Sequence, residues 1–88
     1  MKEKVRTIYK SKRVTIKEII SPKNFNHSFS QNVDEYVYVL KGSANLQIGK
    51  KKLALKKGES LFLKKGTRNN KFKTSDKEET IWLATYFR

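Results

Sequence analysis

DEYVYVLKGSANLQIGKKKLALKKGESLFLKKGTRNN, residues 34–70, is a succession of short apolar runs separated by glycine and lysine turns at nearly even spacing. Each run is too short for a helix and is bounded by glycine, so four strands of a compact antiparallel sheet or barrel are expected here. Glu35 to Leu40, EYVYVL, is apolar on both faces and reads as a central strand that turns at Lys41-Gly42. Ser43 to Ile48 alternates, with Ala44, Leu46 and Ile48 inward and Asn45 and Gln47 outward. Gly49-Lys50 then suits a two-residue hairpin, glycine supplying the positive φ, and Leu53 and Leu55 continue the return strand. Lys56-Lys57-Gly58 turns the chain again, Ser60 to Leu63 forms another strand, and Lys64-Lys65-Gly66 closes it.

The same pattern continues on both sides. Upstream, RVTIKEII (13–20) places Val14, Ile16 and Ile20 on one face with Glu18, and Thr15, Lys17 and Ile19 on the other. Ser21-Pro22 stops that strand, because proline lacks the ladder donor and restricts its predecessor. KNFNHSFSQNV (23–33) follows with Phe25, His27, Phe29 and Gln31 at spacing two, an irregular strand whose one face is aromatic with polar members. Residues 1–12 read as an N-terminal arm or a short edge strand. Downstream, Lys71 to Thr74 is a short strand, Ser75-Asp76-Lys77 a turn, and TIWLATYF (80–87) a long strand apolar on both faces. About eight strands without helical periodicity make this an all-β chain, one domain over residues 1–88, built as a small closed or two-sheet architecture.

A chain of 88 residues buries only a modest core, and without cysteine it has no disulfide or thiolate site to reinforce it. Self-association as a homodimer is the expected support, the two-faced last strand being its motif. The N-terminus is charged throughout and no run is long enough to cross a bilayer, so a cytoplasmic, basic, membrane-free protein is expected. The net charge of +13 favours an anionic partner. Of the 21 basic residues, however, 17 are lysine and four arginine, whereas phosphate and base readout favours the arginine fork. Codon bias in an A+T-rich genome also yields such a composition without any partner. Residues 50–73 carry ten basic residues against Glu59 alone. Successive hairpin turns nevertheless lie at opposite ends of a sheet, so Lys50 to Lys52 and Lys64-Lys65 are separated from Lys56-Lys57 by roughly 17 Å. That separation argues against a single nucleic-acid stripe.

Glu35 to Gly42, E-x6-G, and Gly58 to Asn69, GESLFLKKGTRN, resemble the two signature motifs of the cupin family. YVLKGSANLQIG after Glu35 is close to the family's usual wording, and Gly58, Gly66 and Asn69 fall in register with its second motif. The resemblance runs from about Val14 to Phe87 and is similar to small single-domain bacterial cupins whose last strand ends in an IWLA-type run, here residues 81–84. It implies a jelly-roll β-barrel, often dimeric, with a pocket in its mouth, while many members have no assigned activity. Metal-binding cupins use two histidines and a glutamate of the first motif and a histidine of the second. Only the glutamate is kept, as Glu35. The histidine slots are Phe29 and Gln31, or Ser28 and Ser30 if the gap is one residue longer, and the last slot is Asn69. No cofactor is therefore expected.

The leading reading is a non-enzymatic barrel that binds a small, anionic ligand or acts in regulation, through a pocket of Gln31, Glu35, Tyr38, Asn69 and Trp82. Tyr36, Phe62, Tyr86 and Phe87 are further aromatic candidates, of which only some can face a cavity. Glu35 suits a general base if burial raises its pKa, but no second carboxylate or Ser/His/Asp set accompanies it, so whether the protein is an enzyme stays open. A second reading has a divalent metal held by His27, the sole histidine, together with Glu35. A third is charge-driven binding of nucleic acid or another polyanion.

Overall fold

The structure, a computed structural model, describes residues 2–88. Nine strands make it up: β1 (Lys4–Lys10), β2 (Val14–Ser21), β3 (Asn26–Phe29), β4 (Asp34–Lys41), β5 (Ser43–Ile48), β6 (Lys51–Lys56), β7 (Ser60–Leu63), β8 (Asn70–Thr74) and β9 (Thr80–Phe87). They form a five-stranded sheet in the order β1-β2-β9-β4-β7 and a four-stranded sheet in the order β3-β8-β5-β6. All pairings are antiparallel. This is the two-sheet all-β architecture anticipated from the turn spacing, in the jelly-roll form that the cupin resemblance implied, and no helix among the described residues is long and apolar enough to cross a membrane. Residues 4–10 form an edge strand on β2, with a bulge between Thr7 and Tyr9.

Alternation explains the core. Val37, Val39, Leu63, Trp82 and Ala84 of the five-stranded sheet meet Ala44, Leu46 and Leu55 of the four-stranded one. β9 pairs with both β2 and β4, so every inward residue of TIWLATYF has a neighbour on each side. Ile48 and Lys51 are partners across Gly49-Lys50, and Gly49 at φ +61 gives that hairpin its two-residue turn. β2 turns its more polar face, Thr15, Lys17, Ile19 and Ser21, toward the interior; Val14, Ile16 and Ile20 look outward and stay half-buried.

The chain leaves one sheet for the other at six connections, and only β1–β2 and β5–β6 are hairpins within a sheet. Each crossing brings polar backbone indoors, where it needs partners. Buried hydroxyls and an amide supply them. Thr74 donates to the Pro22 carbonyl at 2.7 Å and accepts from the Phe25 amide at 2.8 Å. Thr80 donates to the Ser43 carbonyl at 2.9 Å. Asn70 accepts from the Gly49 amide at 3.3 Å and donates to the Thr67 carbonyl at 3.4 Å. No buried side-chain nitrogen or oxygen among the described residues is left unpartnered.

The tightest crossing is β4 to β5 at Gly42, whose φ is +81. A Cβ there would lie 2.6 Å from the Glu79 carbonyl oxygen and 2.9 Å from Thr80 Cα. Gly49 has a similar φ but open space around it. Gly42→Ala is therefore expected to cost about 2–3 kcal/mol, from the left-handed backbone and the clash together, and Gly49→Ala about 1 kcal/mol. In a domain this small each kcal/mol lowers the thermal midpoint by roughly 4–8 °C. Equal midpoints for the two variants would show that the corner at Gly42 is not tight.

Candidate functional site

The site is assembled on the inward rows of the five-stranded sheet. Glu35 on β4 sits directly opposite Tyr86 on β9, which in turn sits opposite Thr15 on β2. One row along, Val37 faces Ala84 and Ala84 faces Lys17; beyond that come Val39, Trp82 and Ile19. The Lys17 ammonium lies 5.5 Å from the centre of the Tyr86 ring, a cation–π placement. The opposing wall comes from the edge strand β3 and from β8. Phe25 and His27 stack at 6.0 Å, His27 and Phe29 at 6.5 Å, and Phe72 lies against all three. Phe72 also meets Trp82 edge-on at 5.4 Å, linking the two walls.

Between the walls is a cavity of about 260 Å³, slightly below the usual range for small-molecule sites of ~300–1,000 Å³. Its apolar side is Phe29, Phe72, Trp82, Val37, Leu46 and Leu63, and its polar side is Glu3, His27, Gln31 and Glu35. Trp82 donates its indole N–H to Ser21 Oγ at 3.0 Å, and the Ser21 hydroxyl donates in turn to the Glu3 carboxylate. The segment before β1 thus closes one side of the cavity. Gln31 is buried, its amide donating to the Val33 carbonyl at 3.1 Å, and its backbone is clamped from the β7–β8 loop by Thr67 and Gly66.

Burial raises the pKa of Glu35; the hydrogen-bonding groups of Gln31 and Tyr86 and the positive charge of Lys17 offset this in part. Tyr86 is pushed upward as well, first by burial and then by the Glu35 and Glu3 carboxylates, so its phenol remains a donor. A buried carboxyl beside a phenol is the kind of group that takes or gives a proton.

Of the pocket residues expected from sequence, Gln31, Glu35 and Trp82 line this cavity, as does His27. Tyr38 and Asn69 do not. Tyr38 is one residue out of phase with Val37 and Val39 and lies on the outer face of the sheet. Asn69 is exposed with φ +60, in the loop that delivers the buried Asn70 to its hydrogen bonds. Among the other aromatic candidates only Tyr86 faces inward; Tyr36, Phe62 and Phe87 are exposed outside. Lys17 was not singled out, although its place between Thr15 and Ile19 on a strand with a half-polar face was the available signal.

The inward pair preceding Glu35 is Phe29 and Gln31, with Ser28 and Ser30 exposed, so two metal-histidine slots hold a benzyl group and a neutral amide. The third holds the outward Asn69. No three metal-ligating side chains converge among the described residues. Two carboxylates and a single imidazole that do not converge do not fit a first-row transition metal, which relies on several imidazole or thiolate donors.

Because the folded-state pKa of Glu35 lies above its value of 4.5 in the open chain, the native protein binds the extra proton. Its contribution to stability is greatest in acid and falls as pH rises from about 4.5 through the raised value. Glu35→Gln removes this dependence. The difference in thermal midpoint, variant minus parent, is expected to grow in the variant's favour between pH 4 and pH 7; a constant difference would show that Glu35 ionises as in water.

The cupin-domain profile matches residues 18–86, from within β2 almost to the end of β9. No curated protein matches the chain. Among solved structures it is similar to the Clostridium difficile EutQ protein, at 19% identity and a TM-score of 0.82, over 97% of this chain and 67% of that one. The cupin domain of Schizosaccharomyces pombe Cnp3 gives 14% identity and 0.88, over 97% and 64%. A cupin superfamily protein from Desulfitobacterium hafniense gives 15% and 0.80, over 98% and 77%. The chain thus spans about two thirds of the first two, and at these identities the likeness is one of fold. With the profile and the nine-stranded jelly roll in agreement, the chain belongs to the cupin family.

Proposed function

We propose that the protein binds a small organic molecule in the cavity between its sheets, without a metal. The observation that carries this reading is the pairing of a largely buried Glu35 with an aromatic wall, where the family's histidine slots hold Phe29 and Gln31. The cavity is lined by two carboxylates, Glu3 and Glu35, while Lys17 stands behind the Tyr86 ring. An anion therefore fits this cavity poorly, despite the net charge of the chain. The ligand best suited has a flat apolar body for Phe29, Phe72 and Trp82 and a hydrogen-bond donor, neutral or cationic, for Glu35 and the Gln31 carbonyl oxygen. His27 and Glu35 share the cavity, which is the one feature favouring the metal-dependent alternative.

Trp82 is the sole tryptophan, so its fluorescence reports on the cavity alone. A panel of phenols, aromatic amines and matching carboxylates, titrated against that signal, should show saturable changes for the donors and none for the carboxylates. Glu35→Gln should remove the preference. Thermal midpoints measured with manganese, iron, nickel or zinc should stay in place, whereas a site filled at a hundredfold over its Kd adds about 2.7 kcal/mol. Preference for carboxylates, or a metal shift lost in His27→Ala, would replace this reading.

The homodimer is proposed on the outer face of the five-stranded sheet. Ile16, Ile20, Tyr36, Tyr38, Leu40, Phe62, Ile81 and Leu83 all point outward there, and Tyr36, Leu40 and Phe62 are exposed. The accessible surface is 6231 Å², against roughly 5,400 Å² for a compact monomer of this mass. The excess is close to the ~800 Å² that each partner of a standard interface covers. Charges on this face nearly balance: Arg6 pairs with Glu18 at 3.3 Å, while Lys4 and Lys41 share the row at one end of the sheet and Asp34 stands at the other, so a second copy meets little repulsion. Sedimentation at tens of micromolar should give twice 10.3 kDa, and Phe62→Glu with Tyr36→Glu should return the monomer. A parent protein sedimenting as a monomer would overturn the interface.

A further inference from the structure

The outer face of the four-stranded sheet is unlike every other surface of the molecule. Its outward positions, in register across β3, β8, β5 and β6, are Ser28, Lys71, Gln47 and Lys52 in one row and Asn26, Lys73, Asn45 and Ala54 in the next, with Ser43 and Lys56 beyond. Four ammonium groups are thus interleaved with amides and hydroxyls. No carboxylate and no aromatic ring points out from these strands. The nearest acidic residues are in the flanking turns: Glu59, whose carboxylate accepts from the Lys56 amide at 2.7 Å, and Asp76, which borders the groove beside Lys56 and Lys73. From strand geometry, Lys71 and Lys73 stand ~7 Å apart along β8, and β6 with Lys52 and Lys56 runs ~10 Å away across the sheet. The separation of the hairpin turns, which argues against a basic stripe, does not bear on these lysines, because they are set by strand alternation and share one face.

Composition bias alone does not place them so. Lysine drawn at random would fall evenly on both sheets, yet the outward positions of the five-stranded sheet hold only Lys4 on the edge strand β1 and Lys41 at the end of β4.

We propose that this face is a docking surface for the phosphate backbone of double-stranded nucleic acid. Lysine, asparagine, glutamine and serine are side chains that position phosphates without reading bases, and no carboxylate projects from the strands of the face; Asp76 and Glu59 stand only at its Lys56–Lys73 end. Lysine in place of arginine makes the contact indifferent to sequence. Single strands are bound on exposed aromatic platforms interleaved with basic residues, and this face has none. An anionic membrane is held more firmly when apolar side chains enter it, and none is offered here. This surface is separate from the cavity and independent of what the cavity holds.

The test uses a fluorescein-labelled 20-base-pair duplex of arbitrary sequence and the full chain, by anisotropy from 50 to 200 mM salt. Four phosphate contacts predict a slope of about −3.6 in log K against log salt, roughly a 150-fold loss across that range. The fourfold variant Lys52→Gln, Lys56→Gln, Lys71→Gln, Lys73→Gln should flatten the slope and lose at least tenfold in affinity at 50 mM salt. Its thermal midpoint should be unchanged, since all four side chains are exposed. A charge-matched control, Lys4→Gln, Lys12→Gln, Lys64→Gln, Lys65→Gln, alters exposed positions on β1 and in the β1–β2 and β7–β8 connections, outside the face, and should keep the parent slope. Equal losses in the two variants would overturn the proposal in favour of diffuse charge. So would tighter binding to the single strand, or binding to phosphatidylserine vesicles without binding to the duplex.

Discussion

The close approach of Gly42 to the Glu79 carbonyl fixes where the chain may leave one sheet for the other, and the rest of the sandwich follows from that corner. β4 must end there, β5 must begin in the opposite layer, and β9 must start against the same point for Thr80 to reach the Ser43 carbonyl. With β9 seated, its two neighbours β2 and β4 are brought together, and with them Lys17, Glu35 and Tyr86. A single residue without a side chain therefore determines both the order of the layers and the place of the ionisable groups.

The strands were legible because alternation and turn chemistry agree along most of the chain. Gly49-Lys50 could be read as a two-residue turn, and Phe25, His27, Phe29 and Gln31 as one face, since local spacing alone decides such features. Tyr38 and Asn69 could not be placed that way. YVYVL after Glu35 is apolar or aromatic at every position, so periodicity does not say which half faces the core; the partners of β4 decide, and they choose Val37 and Val39. At Asn69 and Asn70 two identical side chains stand together, and only the left-handed turn at Asn69 determines which goes inside. The inward face of β2 was hidden for a different reason. Its polar side chains are satisfied by distant groups, Ser21 by Trp82 and Glu3, Thr15 by Arg88.

The cavity illustrates how a site can change its chemistry while keeping its frame. The strands that carry a ligand set elsewhere in the family still converge, but an aromatic ring and an amide stand where imidazoles would, and Lys17 is the cation whose charge acts on Glu35. Burial then disfavours its charge, and the nearby donors restore only part of the loss. The result is an acid poised by its surroundings rather than by a metal, in a space walled on one side by rings and on the other by carboxylates.

The two sheets also differ in how they meet the outside, one apolar and nearly balanced in charge, the other wet and cationic. Two copies closed on their apolar sheets would stack four layers, and at ~10 Å between packed sheets the outermost faces would stand about 30 Å apart, pointing away from each other. Such a particle has two poles of like charge and a near-neutral waist. It cannot wrap a single polyanion with both poles, because they face opposite directions, but it can join two. Its behaviour would then be that of a tie between separate anionic chains, with valence two fixed by the twofold axis and strength set by ionic conditions.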